Sequence, residues 1–161
     1  MLYTTTRIYA LKDVYLLYII IKFKKIMNLD KLHISEDWAK LILRLTIGVL
    51  ILLHGIFKIM NPGSIGFIGG LFEAMHLPAF LAYLVYIGEV VAPLMLIAGY
   101  KTKIASGLIV ITMVVVIALA HMGDIFTLTQ GGGWGIELQA LYLFGALAIF
   151  GLGAGKYALK G

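Results

Sequence analysis

The chain has 161 residues, of which 61% are hydrophobic and 13% are charged, and it contains no cysteine. A soluble domain usually has about 45–50% apolar and about 25% charged residues, so the composition excludes an ordinary water-soluble domain and favours one embedded in lipid. Without cysteine, disulfides, thiolate catalysis and iron–sulfur ligation are excluded too. Of the net charge of +5, +4 lies before residue 27, and no basic patch remains to indicate a nucleic-acid partner.

The first 26 residues differ in composition from the rest of the chain. They contain one apolar run of eight residues, Val14–Ile21, which is too short to cross a bilayer as a helix because that takes about 20 residues. A signal peptide is one interpretation, but KFKK follows the run where small cleavage-site residues would stand. The other is that Met27 is the true start and residues 1–26 are an over-extended reading frame. We assign residues 1–37 to an N-terminal cytoplasmic segment.

Apolar stretches of membrane-spanning length follow. The predicted transmembrane helices are about 38–60, 78–99, 102–122 and 134–153. Ser35 and the two acids after it provide an N-cap for the first helix, and Pro78 suits the first turn of the second. The sequence therefore predicts an all-α membrane protein, a bundle of four transmembrane helices that occupies residues 38–158.

The loop at 61–77 is longer than a turn and combines glycine with apolar residues. Phe67, Ile68, Leu71 and Phe72 lie there between several glycines. This pattern predicts a short interfacial helix in the first outer loop, with a re-entrant element as the alternative.

Lysine and arginine near the helix ends predict the orientation. The segment before the first helix, the second loop and the tail are basic, whereas loops 61–77 and 123–136 have neither residue type. By the positive-inside rule, both termini are cytoplasmic and those two loops face outward. We expect a multi-pass protein of a bacterial inner membrane.

Ionisable residues inside the predicted helices are the strongest functional signal, because a charge at mid-bilayer costs at least about 2.5–3.5 kcal/mol. Arg44, His54 and Lys58 share one face of the first helix, and Glu89 lies near the middle of the second. Arg44 is either a snorkelling anchor or a pairing residue. Glu89 is either part of a functional site or one half of a buried pair that holds two helices together.

His121 closes the third predicted helix, and Glu137 lies in the first turns of the fourth. If the helix faces that carry these ionisable residues all point into the bundle, one polar pocket would form in its outer half. Its candidate residues are His54, Lys58, Glu89, His121 and Glu137. Histidines and a carboxylate there could carry protons. Two histidines and two glutamates could also bind a metal, but no compact ligand spacing such as HExxH is present, so we assign no metal ligands and no catalytic residues.

Several stretches resemble the DoxX-like family of small bacterial membrane proteins. They are LRLTIGVLILLHGIFKIM at 43–60, EVVAPLMLIAG at 89–99, ALAH at 118–121 and WGIELQALYLFGALAIFGLGAGKYA at 134–158. The resemblance implies a four-helix membrane fold. The family takes its name from a subunit of an archaeal thiosulfate:quinone oxidoreductase, and some relatives are linked to thiol-redox complexes. It assigns no reaction to this chain, because similarity of fold does not carry chemistry.

The sequence leaves three functions open. The first is a membrane subunit of a redox complex that binds quinone or a similar lipophilic molecule, with a partner oxidoreductase subunit as the catalytic chain, since no cofactor motif is evident. The second is a transport module for a small solute or protons, which would need a homo-oligomer to widen its path. The third is a non-catalytic structural or assembly subunit whose charges hold helices together.

Overall fold

The structure is a computed structural model that describes residues 16–23 and 34–159. Residues 16–23 are helical, expose their side chains and belong to a separate unit from Glu36–Gly161. The interpretations of the N-terminal segment, including a start at Met27, concern residues that lie largely outside the described ranges. The larger unit contains the helical bundle and the candidate site.

The described residues form helices and no strand beyond a single β-bridge between Leu128 and Trp134, so the all-α prediction is confirmed. In chain order, the helices are α1 (Glu36–Met60), α2 (Gly63–Ala74), α3 (Ala79–Ala98), α4 (Thr102–Ala120) and α5 (Glu137–Leu152). Of these, α1, α3 and α4 are long and apolar enough to cross a membrane. Helix α5 is equally apolar but has 16 residues.

Helix α3 changes its winding along its length. It begins as a 3₁₀ helix at Ala79–Leu84, passes through a π-helical turn at Ile87–Val91 and ends as an α-helix at Ala92–Ala98. Pro93 provides the physical reason for the wide turn. It has no N–H to donate to the carbonyl of Glu89 four residues earlier, and its ring crowds that carbonyl. The backbone relieves the crowding by widening, and the N–H of Ala92 donates to the carbonyl oxygen of Ile87, five residues back.

The core of the bundle is apolar and is shared by α1, α3, α4 and α5. Its buried residues are Ile47, Ile51, Ala92, Leu96, Ala105, Ile109, Met113, Tyr142, Ala146 and Ile149. Helices α4 and α5 make the most extensive contact, whereas α2 packs mainly on the 3₁₀ start of α3. Large apolar side chains also remain exposed around the outside of the bundle, among them Leu53, Ile111 and Leu141. An apolar exterior over an apolar core suits lipid as the surrounding solvent.

The ends of α4 and α5 differ from the prediction by a few residues. Helix α4 ends before His121, which has a φ of −131° and leads into a 3₁₀ turn at Met122–Asp124. Helix α5 begins at Glu137 rather than at Trp134, because Trp134 belongs to the preceding loop, where its indole N–H donates to the carbonyl oxygen of Ile125 at 2.6 Å.

At the opposite end of the bundle, Arg44 binds the C-terminal tail. Its side chain is 2% exposed, and its guanidinium donates to the carbonyl oxygens of Ala154 at 2.6 Å and Tyr157 at 2.5 Å. These carbonyls follow the end of α5, where the helix dipole is negative and stabilises a cation. The backbone N–H of Lys156 donates to Asp37 at 2.9 Å, so the tail also contacts the start of α1. Arg44 is therefore paired with backbone in the interior rather than extended toward water.

Candidate functional site

An ion pair between α1 and α3 lies at the centre of the candidate site. The Nζ atom of Lys58 is 2.5 Å from Oε2 of Glu89, and the two side chains are 19% and 5% exposed, respectively. Lys58 lies in the last turn of α1, and Glu89 lies in the π turn of α3. The phenol of Tyr86 donates to the backbone carbonyl of Lys58 at 3.4 Å and ties the same two helices together. The pair neutralises two charges that would be costly to bury singly.

Close packing of α1 against α3 makes this pair possible. Gly55 faces the π turn, and a Cβ atom at this position would collide with the carbonyl of Glu89 and with the side chain of Val90. A glycine here lets the two backbones approach within contact distance. Lys58 follows Gly55 by three residues and so projects from the same side of α1. The sequence could have indicated this contact only through the glycine spacing, which is ambiguous in a glycine-rich chain.

A polar cavity of about 200 Å³ borders the ion pair. Its lining consists of Ile51, His54, Lys58, Glu89, Met113, Val116, His121, Leu138, Gln139 and Tyr142. The structure thus brings together four of the five residues that the sequence predicted for one pocket. Sequence reasoning missed Gln139 and Tyr142, although both lie on one face of α5 at a separation of three residues.

His54 and Tyr142 meet across the cleft between α1 and α5. The phenol oxygen of Tyr142 lies 3.4 Å from Nε2 of His54, and the rings meet edge to face with centroids 5.9 Å apart. His54 is exposed, whereas Tyr142 is buried and belongs to the core. Tyr142 therefore presents a hydroxyl to the cavity from an otherwise apolar position.

His121 is bonded on both sides of its ring. Nδ1 lies 2.9 Å from Oδ2 of Asp124, and Nε2 lies 2.9 Å from Nε2 of Gln139. An amide nitrogen only donates, so this arrangement is satisfied by a neutral imidazole with its proton on Nδ1. Asp124 is half-exposed and connects His121 to the surface. Sequence reasoning missed Asp124 as well, although its spacing of three residues from His121 was a usable signal.

Glu137 lies apart from this cavity. It is exposed and lines a neighbouring groove of about 390 Å³, which shares Leu138 and Gln139 with the polar cavity. Glu137 and Gln139 are separated by about 200° around α5, and of the two only Gln139 also lines the polar cavity.

A second, larger cavity of about 620 Å³ lies between α2, α3 and α4. Its walls are almost entirely apolar, with contributions from Phe67 and Leu71 of α2, Leu81 of α3 and Ile111 of α4. The two cavities share Lys58, Glu89 and Val116. The ion pair therefore stands between an apolar cavity and a polar one. The sequence did not predict the apolar cavity, although the apolar residues of loop 61–77 form one of its walls.

No group of three or more His, Cys, Asp or Glu side chains in the described part of the chain is arranged to hold a metal ion. The polar side chains that line the cavity supply an ammonium, a carboxylate, two imidazoles, a phenol and an amide. These groups can hydrogen-bond a polar ligand and can transfer protons.

Apolar helices with an apolar exterior and a buried ion pair define a membrane protein with an internal polar site. The chain belongs to the DoxX family, whose model matches residues 39–122, so the resemblance predicted from the sequence is confirmed. It is 32% identical over 108 residues to the uncharacterized membrane protein Rv3486 of Mycobacterium tuberculosis, a match that covers 66% of this chain and 63% of the relative. The chain thus spans less than two thirds of that relative's length. No solved structure matches the chain significantly.

Proposed function

We propose that the protein binds a quinone or a similar small lipophilic molecule within the membrane, as the membrane subunit of a redox complex. The observation that supports this most directly is the apolar cavity of about 620 Å³ that ends on Lys58 and Glu89. Cavities of about 300–1,000 Å³ with apolar walls and a few polar groups are typical of small-molecule sites. A ring with a short apolar chain would occupy such a volume.

The ion pair suits the head group of such a ligand. The ammonium of Lys58 can donate to a ligand carbonyl oxygen, and the carboxylate of Glu89 can accept from a hydroxyl of the reduced form. The sequence contains no haem, flavin or iron–sulfur motif, so we assign electron transfer to a partner oxidoreductase subunit. In this role the chain binds and orients the lipophilic molecule and is not the catalytic chain.

The proposal includes a fourth membrane crossing by α5. The start of α5 lies next to the end of α4, since Gln139 contacts His121. Beyond its other end, the tail binds Arg44 near the start of α1, and the N–H of Leu159 donates to the carbonyl of Ala98 at the end of α3. Helix α5 therefore runs the length of the bundle. Its 16 residues give about 24 Å, and local thinning of the bilayer can accommodate a short span.

With four crossings, the start of α1 and the tail after α5 lie on the same side of the membrane. Lys40, Lys101, Lys103 and Lys156 lie on that side, which the positive-inside rule makes cytoplasmic in a bacterial inner membrane. Helix α2 has 12 residues, about 18 Å, and is too short to cross. We place it at the outer interface, where it covers the apolar cavity.

The test is a matched pair of substitutions on α4. Both Val114 and Val115 are exposed, but only Val115 lines the apolar cavity, and Val114 lines neither cavity. Val115→Trp should fill the cavity and weaken binding of decylubiquinone to the detergent-purified protein at least tenfold. Val114→Trp adds the same bulk outside and should bind like wild type. If wild type neither retains quinone on purification nor binds decylubiquinone, the proposal fails.

A structural role is the second candidate, because the buried Arg44 and the partly buried Lys58 each have partners on another element. Lys58 links α1 to α3, and Arg44 links α1 to the tail. For a purely structural subunit, Glu89→Gln would lower abundance and melting temperature but leave quinone binding per folded molecule unchanged. The transport alternative has less support, because core side chains such as Ile47 and Ile109 fill the bundle below the cavities.

A further inference from the structure

We propose that the polar cavity is a water-filled vestibule through which Glu89 exchanges protons with the aqueous phase on one side of the membrane only. That side is the one on which the loop between α4 and α5 lies. This inference goes beyond ligand binding and holds whatever occupies the apolar cavity. It rests on the volume, lining and openings of the polar cavity.

The cavity has the size and chemistry to hold water. Its volume of about 200 Å³ has room for about six water molecules at about 30 Å³ each. Water remains in a buried cavity when it finds two to four polar partners. The walls supply the phenol of Tyr142, the amide of Gln139 and the imidazoles of His54 and His121, in addition to the ion pair.

Hydrogen-bonding side chains line the way from the surface to Glu89, and all of them except Gln139 can take up or release a proton. The half-exposed Asp124 contacts His121, and His121 contacts Gln139 at the cavity wall. On the cavity wall, the exposed His54 and the buried Tyr142 lie side by side. Water molecules between these groups would complete hydrogen-bonded contacts from Asp124 to the carboxylate.

The cavity is open at one end and closed at the other. His54, six residues before the end of α1, is exposed, and Asp124 in the loop after α4 is half-exposed. At the opposite end, Ile51 and Met113 are buried and lead directly into the apolar core. The apolar cavity offers no alternative proton path, because apart from the ion pair its polar lining side chains are the hydroxyls of Ser64 and Thr112.

Nearly every helix around the ion pair contributes a titratable group to the polar cavity or to the pair itself. These groups are His54 and Lys58 of α1, Tyr86 of α3, His121 at the end of α4 and Tyr142 of α5, whereas α2 contributes none to either cavity. When Glu89 takes up a proton through the vestibule, Lys58 loses its ionic partner and is free to donate to another acceptor. Proton exchange on one side of the membrane is thereby coupled to whether Lys58 is paired with Glu89 or donates to another acceptor.

The absence of native cysteine makes accessibility the first test, because any introduced cysteine is the only thiol. Tyr142→Cys places a thiol in the vestibule, and Ala146→Cys places one a turn deeper in the core. A membrane-impermeant charged thiosulfonate should modify Tyr142→Cys from the side that also modifies Gly131→Cys. Ala146→Cys should not be modified from either side. Tyr142→Cys should not be modified from the side that modifies Lys103→Cys. The proposal is overturned if Tyr142→Cys is not modified at all, or if it is modified from the Lys103 side.

The second test follows the proton itself by infrared spectroscopy after a pH jump on reconstituted protein. A carboxyl band that is absent in Glu89→Gln reports Glu89. Blocking the vestibule with His54→Phe and Tyr142→Phe together should slow the response of this band at least tenfold, whereas Val115→Trp in the apolar cavity should not change it. An unchanged rate in the double variant, or a slowed rate in Val115→Trp, contradicts the vestibule. Neither test uses quinone, so failure here is separate from failure of ligand binding.

Discussion

Lys58 and Glu89 illustrate how one buried charge depends on another. Each side chain is largely removed from solvent, and each has the other within 2.5 Å. The free energy of such a pair is a small difference between desolvation and attraction, so the pair as a whole stabilises little. Either charge alone, however, would be buried without compensation. Removal of one partner should therefore cost far more than removal of both.

This reasoning predicts strong coupling between the two residues. Lys58→Met and Glu89→Leu should each destabilise the fold by about 3 kcal/mol, because each leaves an uncompensated buried charge. The double variant should recover most of that loss, since neither charge remains. Reversible unfolding in mixed micelles, analysed as a double-mutant cycle, measures the coupling. Additive losses would show that the pair contributes no mutual stabilisation.

Arg44 is a buried cation, and no carboxylate is among its hydrogen-bond partners in the described part of the chain. Two carbonyl oxygens of the tail accept from its planar guanidinium. Arg44→Lys keeps the charge but loses the fork geometry, so we expect a loss of about 2 kcal/mol. The tail should also become sensitive to protease digestion after Lys156, while wild type stays resistant. A protected tail in Arg44→Lys would argue that the charge alone holds it.

At the scale of elements, helix positions were predictable because apolar length is a strong signal in a membrane protein. Residues 38–60, 78–99 and 102–122 were predicted to be helical, and the structure has helices at Glu36–Met60, Ala79–Ala98 and Thr102–Ala120. The rotation of each helix was less predictable. On α5, apolar residues surround the whole helix, so nothing in the pattern distinguished the face with Gln139 from the face with Glu137.

The sequence signal for the π turn of α3 is Pro93, but this residue alone does not predict which partner Glu89 contacts. Pro93 follows Glu89 by four residues, which removes the hydrogen bond to the Glu89 carbonyl. The resulting turn aims Glu89 at Lys58, but only because Gly55 lets α1 approach. The two charged residues are 31 positions apart in the chain, so their helices must be packed before that contact can be known. The candidate site was therefore predictable in composition and only partly in geometry.

Gly55 provides a test of helix packing. In Gly55→Ala, the added methyl group would press against the carbonyl of Glu89, so we expect a loss of about 2 kcal/mol from overpacking and a weakened ion pair. Gly66→Ala on α2 is the matched control, since no atom lies within 4 Å of a Cβ there. That control should be neutral or slightly stabilising, because alanine favours helix. Thermal unfolding of both variants measures the difference, and equal melting temperatures would contradict the close contact.

At the scale of the whole molecule, the polar groups are divided between the two ends of the bundle. Arg44 and the tail close one end, the ion pair and polar cavity occupy the other, and the apolar core separates them. If the polar cavity is a vestibule as proposed, this division gives the protein a closed side and a side with access. It also requires α5 to run between the two ends, since its first turns contact His121 and its tail contacts Arg44.

The path of α5 predicts on which side of the membrane the tail lies. If α5 crosses, a reporter fused after Gly161 must lie on the same side as one fused at Lys103, and opposite to one fused at Gly131. Alkaline phosphatase should then be active only in the Gly131 fusion, and a fluorescent protein that folds in the cytoplasm should be bright only in the other two. Helix α5 alone decides the outcome, because α4 separates Lys103 from Gly131 in either case. Phosphatase activity at both Gly131 and Gly161 would mean that α5 returns to the surface it left, which would be incompatible with the hydrogen bonds from Arg44 to the tail.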